Sequence, residues 1–265
     1  MAPPHPVLSL IPVPALADNY IWLLHDGRNA LAVDPGEAAP LRNALQALSL
    51  TLRAILVTHH HGDHHGGLAD LKADAGADLP VFGPSAEAIA GVTAPVRDGD
   101  RLHLLGHPVD VLAVPGHTWG HVAYVVQAQP PVLFCGDTLF GAGCGRLFEG
   151  TPAHMLNSLE RLASLPPETR VCPAHEYTVA NLRFAQAVDP ASRAVEARLA
   201  SALAQRAAGA PTLPSTLALE CATNPFLRSR DATVRTAAQL RAPAPAESDE
   251  PVAVFTALRQ WKNQF

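Results

Sequence analysis

Ten consecutive residues constrain this chain more than any others: Thr58-His59-His60-His61-Gly62-Asp63-His64-His65-Gly66-Gly67, directly after the apolar, strand-length run 53–57. Imidazole and carboxylate are borderline-to-hard ligands that suit zinc, iron or manganese. His59 and His61 lie two residues apart in an extended turn, so their side chains can converge on one ion. Asp63 and His64 fall at the entrance to a helix, where side chains leave in another direction and a second ion has room. One tetrahedral ion cannot use them all. A lone histidine is more often a solvated or hydrogen-bonded residue than a ligand, so the rest of the chain has to decide.

Three further segments supply that context, each just after a strand-like run. They are Val114-Pro115-Gly116-His117-Thr118, Cys135-Gly136-Asp137-Thr138-Leu139-Phe140 and Cys172-Pro173-Ala174-His175-Glu176-Tyr177. In the second, an aspartate ends an otherwise apolar run. Ligands at strand ends sit on a rigid scaffold and leave the loops free to shape a pocket.

Runs 20–24, 29–33, 53–57, 80–82, 109–114, 122–126, 132–135 and 170–172 are β-branched or leucine-rich and of strand length. Helical patterns interleave at 38–48, 68–75, 84–90 and 152–165, the last opened by Thr151-Pro152, an N-cap followed by proline at the first helical position. Beyond Glu176 the pattern becomes helical throughout, at 179–188, 191–208, 216–221, 231–240 and 251–262, with no strand expected. Segment 241–250 (RAPAPAESDE) reads as an acidic, proline-rich loop.

With 48% hydrophobic and 16% charged residues the chain is globular, and its net charge of −5 offers no footprint for nucleic acid or an anionic membrane. The N-terminal stretch has no basic residue and is broken by Pro12 and Pro14, so neither a signal peptide nor a membrane span is expected. Four cysteines without a Cys-x-x-Cys pair indicate reduced thiols and a cytoplasmic protein.

The pattern His-x-His-x-Asp-His, here His59, His61, Asp63 and His64, completed by His117, Asp137 and His175, resembles that of the metallo-β-lactamase superfamily. The resemblance implies an α+β fold, an αββα sandwich with a two-metal site between the sheet edges. His59, His61 and His117 would hold one ion and Asp63, His64 and His175 the other, with Asp137 bridging. Zinc is the expected metal, iron and manganese the alternatives, because the same donor set accepts all three.

Asp18-Asn19-Tyr20, Gly143-Cys144-Gly145-Arg146, His175-Glu176-Tyr177-Thr178, Pro214-Ser215-Thr216-Leu217, Asn224-Pro225-Phe226 and Arg259-x-x-Lys262 further resemble the hydroxyacylglutathione hydrolase (glyoxalase II) family. The likeness spans almost the whole chain. It implies a catalytic domain over 1–175, a helical substrate-binding domain over 176–265, and hydrolysis of S-D-lactoylglutathione to D-lactate and glutathione in methylglyoxal detoxification. No protein nucleophile is then needed: a water acidified at the metal centre attacks the thioester, oriented by Asp63. Arg146 and Tyr177 would contact the peptide, and Arg259 and Lys262, which share a helix face, would grip the glycine carboxylate.

Two positions depart from many relatives: Arg146 replaces lysine, and Phe148 replaces tyrosine, removing a hydroxyl contact to glutathione. A small-molecule substrate and a monomer are expected. Rival readings are a lactonase, a β-lactamase, a one-iron persulfide dioxygenase or a non-catalytic metal-binding module. The Arg259–Lys262 pair argues against the first two, and the complete second ligand set against the others. Of the remaining histidines, His60, His65 and His121 are expected to hydrogen-bond ligands, and His5, His25, His103, His107 and His154 to be surface or turn residues.

Overall fold

The computed structural model describes residues 6–76, 78–241 and 251–265, so His5 and nearly all of the expected loop 241–250 lie outside the described residues. Two six-stranded sheets carry the fold. The first runs β1 (Ser9–Ala15), β2 (Asn19–His25), β3 (Asn29–Val33), β4 (Thr51–Leu56), β5 (Val81–Pro84) and β6 (Ala94–Val96) in sequence order. Helices α1 (Ala38–Ala47), α2 (Gly62–His65) and α3 (Leu68–Ala75) connect its parallel strands. The second sheet contains β7 (Arg101–Leu104), β8 (His107–Ala113), β9 (Val122–Val126) and β10 (Val132–Gly136). After the small hairpin β11 (Leu139–Phe140) and β12 (Gly143–Cys144) and helix α4 (Pro152–Ala163), it is completed by β13 (Arg170–Pro173) and β14 (Ser215–Thr216), in the order β14-β13-β10-β9-β8-β7. Helices α5 (Thr178–Val188), α6 (Arg193–Ala207), α7 (Leu217–Thr223), α8 (Ala232–Arg241) and α9 (Pro251–Gln264) make up most of the remainder.

Side-chain alternation decides the layering. On β2, Tyr20, Trp22 and Leu24 pack with Val111, Tyr124, Phe134 and Cys172 of the other sheet, while Ile21 and Leu23 pack with Leu41 of α1 and Leu71 of α3. On the second sheet Ala123, Val125 and Leu133 turn outward to Met155 and Leu159 of α4 and to Phe255 and Leu258 of α9. Both faces of both sheets are therefore covered, which is the αββα sandwich. Strands buried on both faces must read as continuous apolar runs, and these do.

Two expectations need correction, and one segment that carried no expectation is a strand. Residues 84–90 form no helix: Pro84 belongs to β5, opposite Val96, and turns follow. That run has one large apolar side chain, Ile89, so it lacks a stripe to bury, and Glu87 is drawn instead to Thr118 and Gly120. A strand does follow Glu176, since Ser215–Thr216 pairs antiparallel with β13. Finally, 9–15 is a strand despite its prolines. Pro12 and Pro14 lie two apart on the outermost strand, so both nitrogens can face away from the sheet.

Candidate metal centre

Each motif singled out in the sequence emerges from the same rim of the sandwich: His59, His61, Asp63 and His64 after β4, His117 after β8, Asp137 after β10, His175 after β13. His61 is extended and caps α2, so it faces back toward His59, while Asp63 and His64 ride on the first turn of the helix. Three overlapping groups result, His59/His61/His117, His59/His64/Asp137 and Asp63/His64/His175, each with its donor atoms within 4.8 Å of one another.

In the first group His61 Nδ1 is 3.0 Å from both His59 Nε2 and His117 Nε2. In the third, with Asp137 beside it, His64 Nε2 and His175 Nε2 stand 3.4–3.5 Å from Asp63 Oδ2 and Asp137 Oδ1. Asp137 turns its other oxygen, Oδ2, to His117 Nε2 at 3.2 Å, so its carboxylate faces both groups. An ion held at about 2.0–2.1 Å spaces tetrahedral neighbours roughly 3.3 Å apart, so these separations suit donors arranged around a divalent cation. Two buried atoms bear this out: His64 Nε2 and Asp137 Oδ1 have no hydrogen-bond partner, a cost that an ion between them removes. The cluster fits divalent metal ions.

Electrostatics separate the two groups. Burial, reinforced by neighbouring imidazoles, holds His59 well below the usual histidine range, and burial also lowers His61 and His117, so all three present neutral rings as metal donors must. Burial opposes charge on His64 and His175 too, but the carboxylates around them win: His64 is raised by Asp137, Asp34 and Asp63, and His175 is pushed up to about 11 by Asp137, Asp63 and Asp18. Hydrogen bonding to His175 in turn holds Asp63 below the carboxylate range. The Asp63/His64/His175 group demands positive charge.

The outer nitrogen of each buried ligand is anchored. His175 Nδ1 donates to Asp18 Oδ1 (2.7 Å), His117 Nδ1 to Arg146 O (2.8 Å) and His64 Nδ1 to Asp34 Oδ2 (3.0 Å). Asn19 Nδ2 donates to Asp63 Oδ2 at 3.0 Å, and the Asp137 amide donates to His121 Nε2 at 3.1 Å. Asp34 also accepts from the Thr58 amide and hydroxyl, both at 2.8 Å. Because the Thr58 hydroxyl gives its proton to Asp34, it accepts from His59 Nδ1, 3.0 Å away, and His59 keeps its Nε2 lone pair for an ion.

Sequence reasoning missed Asp34. Its signal was present, an acid ending the apolar strand 29–33 just as Asp137 ends 132–135, but only the fold brings it to Thr58 and His64. It sits at φ 54°, a region in which aspartate is tolerated better than most residues. Gly145 is required by close approach, since a Cβ there would lie 1.9 Å from Asp137 O.

The other histidines divide differently from expectation. His121 does orient a ligand residue, whereas His60 points outward between Glu87 (3.1 Å) and Glu149 (3.4 Å), and His65 Nε2 bonds the His60 carbonyl. His107 is buried rather than a surface residue, and His154 completes a capping box on α4.

Above the ligands opens a cleft of about 590 Å³ with His117 and Asp137 in its lining. Arg146, Tyr177, Arg259 and Lys262 all line this one cleft. Tyr177 stacks on His175, with ring centroids 4.8 Å apart and planes at 4°. Burial and the like charges of Arg259 and Arg146 lower the Lys262 ammonium, so an anion entering the cleft relieves a crowding of cations. Arg259 is itself buried, with Nη1 donating to Cys144 O at 3.0 Å. Phe148, 63% exposed, sets its ring against His61 and His117 at 5.5 and 5.2 Å.

Comparison with known proteins gives two family matches: residues 16–175 match the metallo-beta-lactamase superfamily, and residues 176–265 match the family described as hydroxyacylglutathione hydrolase C-terminus. A hydroxyacylglutathione hydrolase of Cupriavidus metallidurans is 53% identical over 269 residues, covering 98% of this chain and all of the relative. Among solved structures, ETHE1 from Myxococcus xanthus shares the fold at 23% identity and TM-score 0.63, over 97% of this chain and 99% of its own. TTHA1623, in a di-iron-bound form, is similar at 33% identity and TM-score 0.52, over 62% of this chain and 91% of its own.

Proposed function

The chain belongs to the hydroxyacylglutathione hydrolase family of the metallo-β-lactamase superfamily, and from that premise we propose that it hydrolyses S-D-lactoylglutathione to D-lactate and glutathione at a centre of two divalent ions. The observation that carries this reading is the convergence of seven donor side chains beneath a cleft walled by Arg146, Arg259 and Lys262. His59, His61 and His117 would hold one ion and Asp63, His64 and His175 the other, with Asp137 placed to serve both. Zinc suits this nitrogen and oxygen set, with iron and manganese the competitors; the di-iron form of TTHA1623 is a precedent for two ions on a related chain.

Bound divalent ions supply an acidified water and a Lewis acid for the thioester carbonyl. The chain's own residues do the rest. Asp63, held by Asn19 and partly exposed, accepts a hydrogen bond from the attacking water and orients it. Arg146, Arg259 and Lys262 neutralise glutathione's two carboxylates, and Tyr177, fixed on His175, closes the wall near the scissile bond. A thiol with an ordinary pKa of about 8.5 leaves without a strong general acid, so no further proton donor is required. In this reading 1–175 is the catalytic domain and 176–265 the substrate-binding domain. The working form is a cytoplasmic monomer, a compartment supported by four free cysteines; among the described residues no helix is long and apolar enough to cross a membrane.

The direct test is hydrolysis of S-D-lactoylglutathione beside a simple lactone and a β-lactam, with metal quantified in the same sample. Turnover of the thioester alone at two ions per chain supports the proposal; turnover of the lactone or lactam, or one ion per active chain, overturns it. Two substitutions probe the cleft. Lys262→Ala raises KM about tenfold with kcat nearly kept, the signature of lost ground-state binding to a carboxylate. Phe148→Tyr lowers KM by a few fold by restoring a hydroxyl at the mouth; a KM unchanged or raised counts against a missing contact there.

A further inference from the structure

Between Asp137 and Arg146 the chain doubles back as the β11–β12 hairpin, and four consecutive residues at its turn are bonded through their backbone to side chains from beyond residue 176. Gly141 O accepts from Asn181 Nδ2 at 3.0 Å, and the Ala142 amide donates to Glu220 Oε2 at 2.8 Å. Gly143 O accepts from Asn224 Nδ2 at 2.8 Å, and Cys144 O accepts from Arg259 Nη1 at 3.0 Å. All four side chains are buried, Glu220 and Asn224 completely. The helices press directly on the backbone: a Cβ at Gly141 would lie 2.3 Å from Thr178 Oγ1, and one at Gly143 would lie 2.4 Å from Asn181 Nδ2. Ala142 is held at φ 54°.

Glu220 is the centre of this arrangement. Arg198 and the Ser215 hydroxyl also donate to its carboxylate, so a fully buried charge is neutralised, fixed from several sides and aimed at one amide. A buried ion pair is weak support for stability by itself, and its known use is to fix one arrangement among several.

What the hairpin carries gives the arrangement a purpose. Phe140, Cys144 and Arg146 line the cleft. Its other end is anchored independently, because the Asp137 amide donates to His121 and Gly136 O accepts from the Ala174 amide. Loosening the turn therefore displaces Phe140 and Cys144, while the Asp137 amide stays on His121 and the Arg146 carbonyl stays on His117 Nδ1.

We propose that Glu220 and Asn224 are positioning residues for the thioester reaction, holding the 139–144 hairpin so that Phe140 and Cys144 form the wall against which the glutathione moiety binds. The inference rests on the glutathione-thioester reading of the same cleft. Neither Glu220 nor Asn224 lines that cleft, so each acts only through the hairpin.

The test uses the metal-replete full chain. Asn224→Asp keeps size and the acceptor for the Phe226 amide but faces Gly143 O with an oxygen, and Glu220→Gln removes the buried charge. Each raises KM for S-D-lactoylglutathione about 5- to 20-fold, with kcat and metal content within about twofold of the parent. KM for S-lactoyl-N-acetylcysteamine, which lacks glutathione's carboxylates, stays within about twofold. A KM unchanged for the glutathione thioester, or raised equally for both thioesters, overturns the proposal. One measurement needs no substitution: saturating glutathione slows hydrogen exchange across residues 139–146 of the parent enzyme by about threefold or more, and an unchanged rate overturns the proposal even if a variant fails to fold. Failure of the parent to hydrolyse S-D-lactoylglutathione would instead remove the underlying function, so the two failures are distinct.

Discussion

Asp137→Asn and His59→Ala each lower kcat/KM for S-D-lactoylglutathione by about 10³-fold or more, a loss of about 4 kcal/mol of transition-state stabilisation, and bound metal falls with activity. Asp137 faces His64 and His175 with one oxygen and His117 with the other, so an amide in its place turns an N–H donor toward one group whichever way it flips. Its negative charge is lost as well. His59 contributes to two of the three donor groups, and its removal opens a hole at a fully buried point. Losing a partner outside the ligand set typically costs ~10–100-fold in affinity or activity, and losing a ligand must cost more. His60→Ala is the control: it lies between two ligands in sequence but points outward to Glu87 and Glu149, so activity and metal content stay within about twofold. Equal losses in all three variants would sink the ligand assignment.

Asp34→Asn weakens metal binding by about 10- to 100-fold without touching an ion. The carboxylate accepts from three donors, the Thr58 amide, the Thr58 hydroxyl and His64 Nδ1. An amide cannot accept from all three. If its NH₂ faces His64, the imidazole has to move its proton to Nε2, the atom needed by the ion. If it faces the Thr58 amide, two donors oppose each other in a buried site, at about 1–3 kcal/mol. Through the Thr58 hydroxyl the disturbance also reaches the tautomer of His59, so both ion positions weaken. Asp34→Ala adds strain, because alanine tolerates φ 54° less well than aspartate or asparagine. Metal titration followed by activity and by thermal unfolding distinguishes these effects, and an Asp34→Asn variant that binds metal like the parent would refute this account of tautomer control.

The cluster of candidate metal donors was legible in the sequence because coordination chemistry admits few residue types, and because those residues stand just past apolar runs that can only be strands. The same logic placed β3 and β9 at their observed bounds and most helices to within a few residues. It failed where local pattern is weak. Strands β6, β7 and β14 are short, and their pairing is decided by the neighbour that lies beside them, not by their own periodicity. The run 84–90 looks helical in isolation, but Glu87 finds partners on the loop that carries His117, and those contacts outweigh a propensity worth only tenths of a kcal/mol per residue.

Sequence by itself thus determined the alternation of strand and helix, the seven residues able to take metal and the basic pair near the C-terminus, since periodicity and donor chemistry are properties of residues and their spacing. Tertiary structure alone decided which polar side chains serve others. Asp34 reaches His64 across 30 positions, Asp18 reaches His175 across 157, and Glu220 reaches the Ala142 amide across 78. A hydrogen bond depends on atoms meeting within about 3 Å at the right angle, and for residues this far apart that meeting is a property of the folded chain.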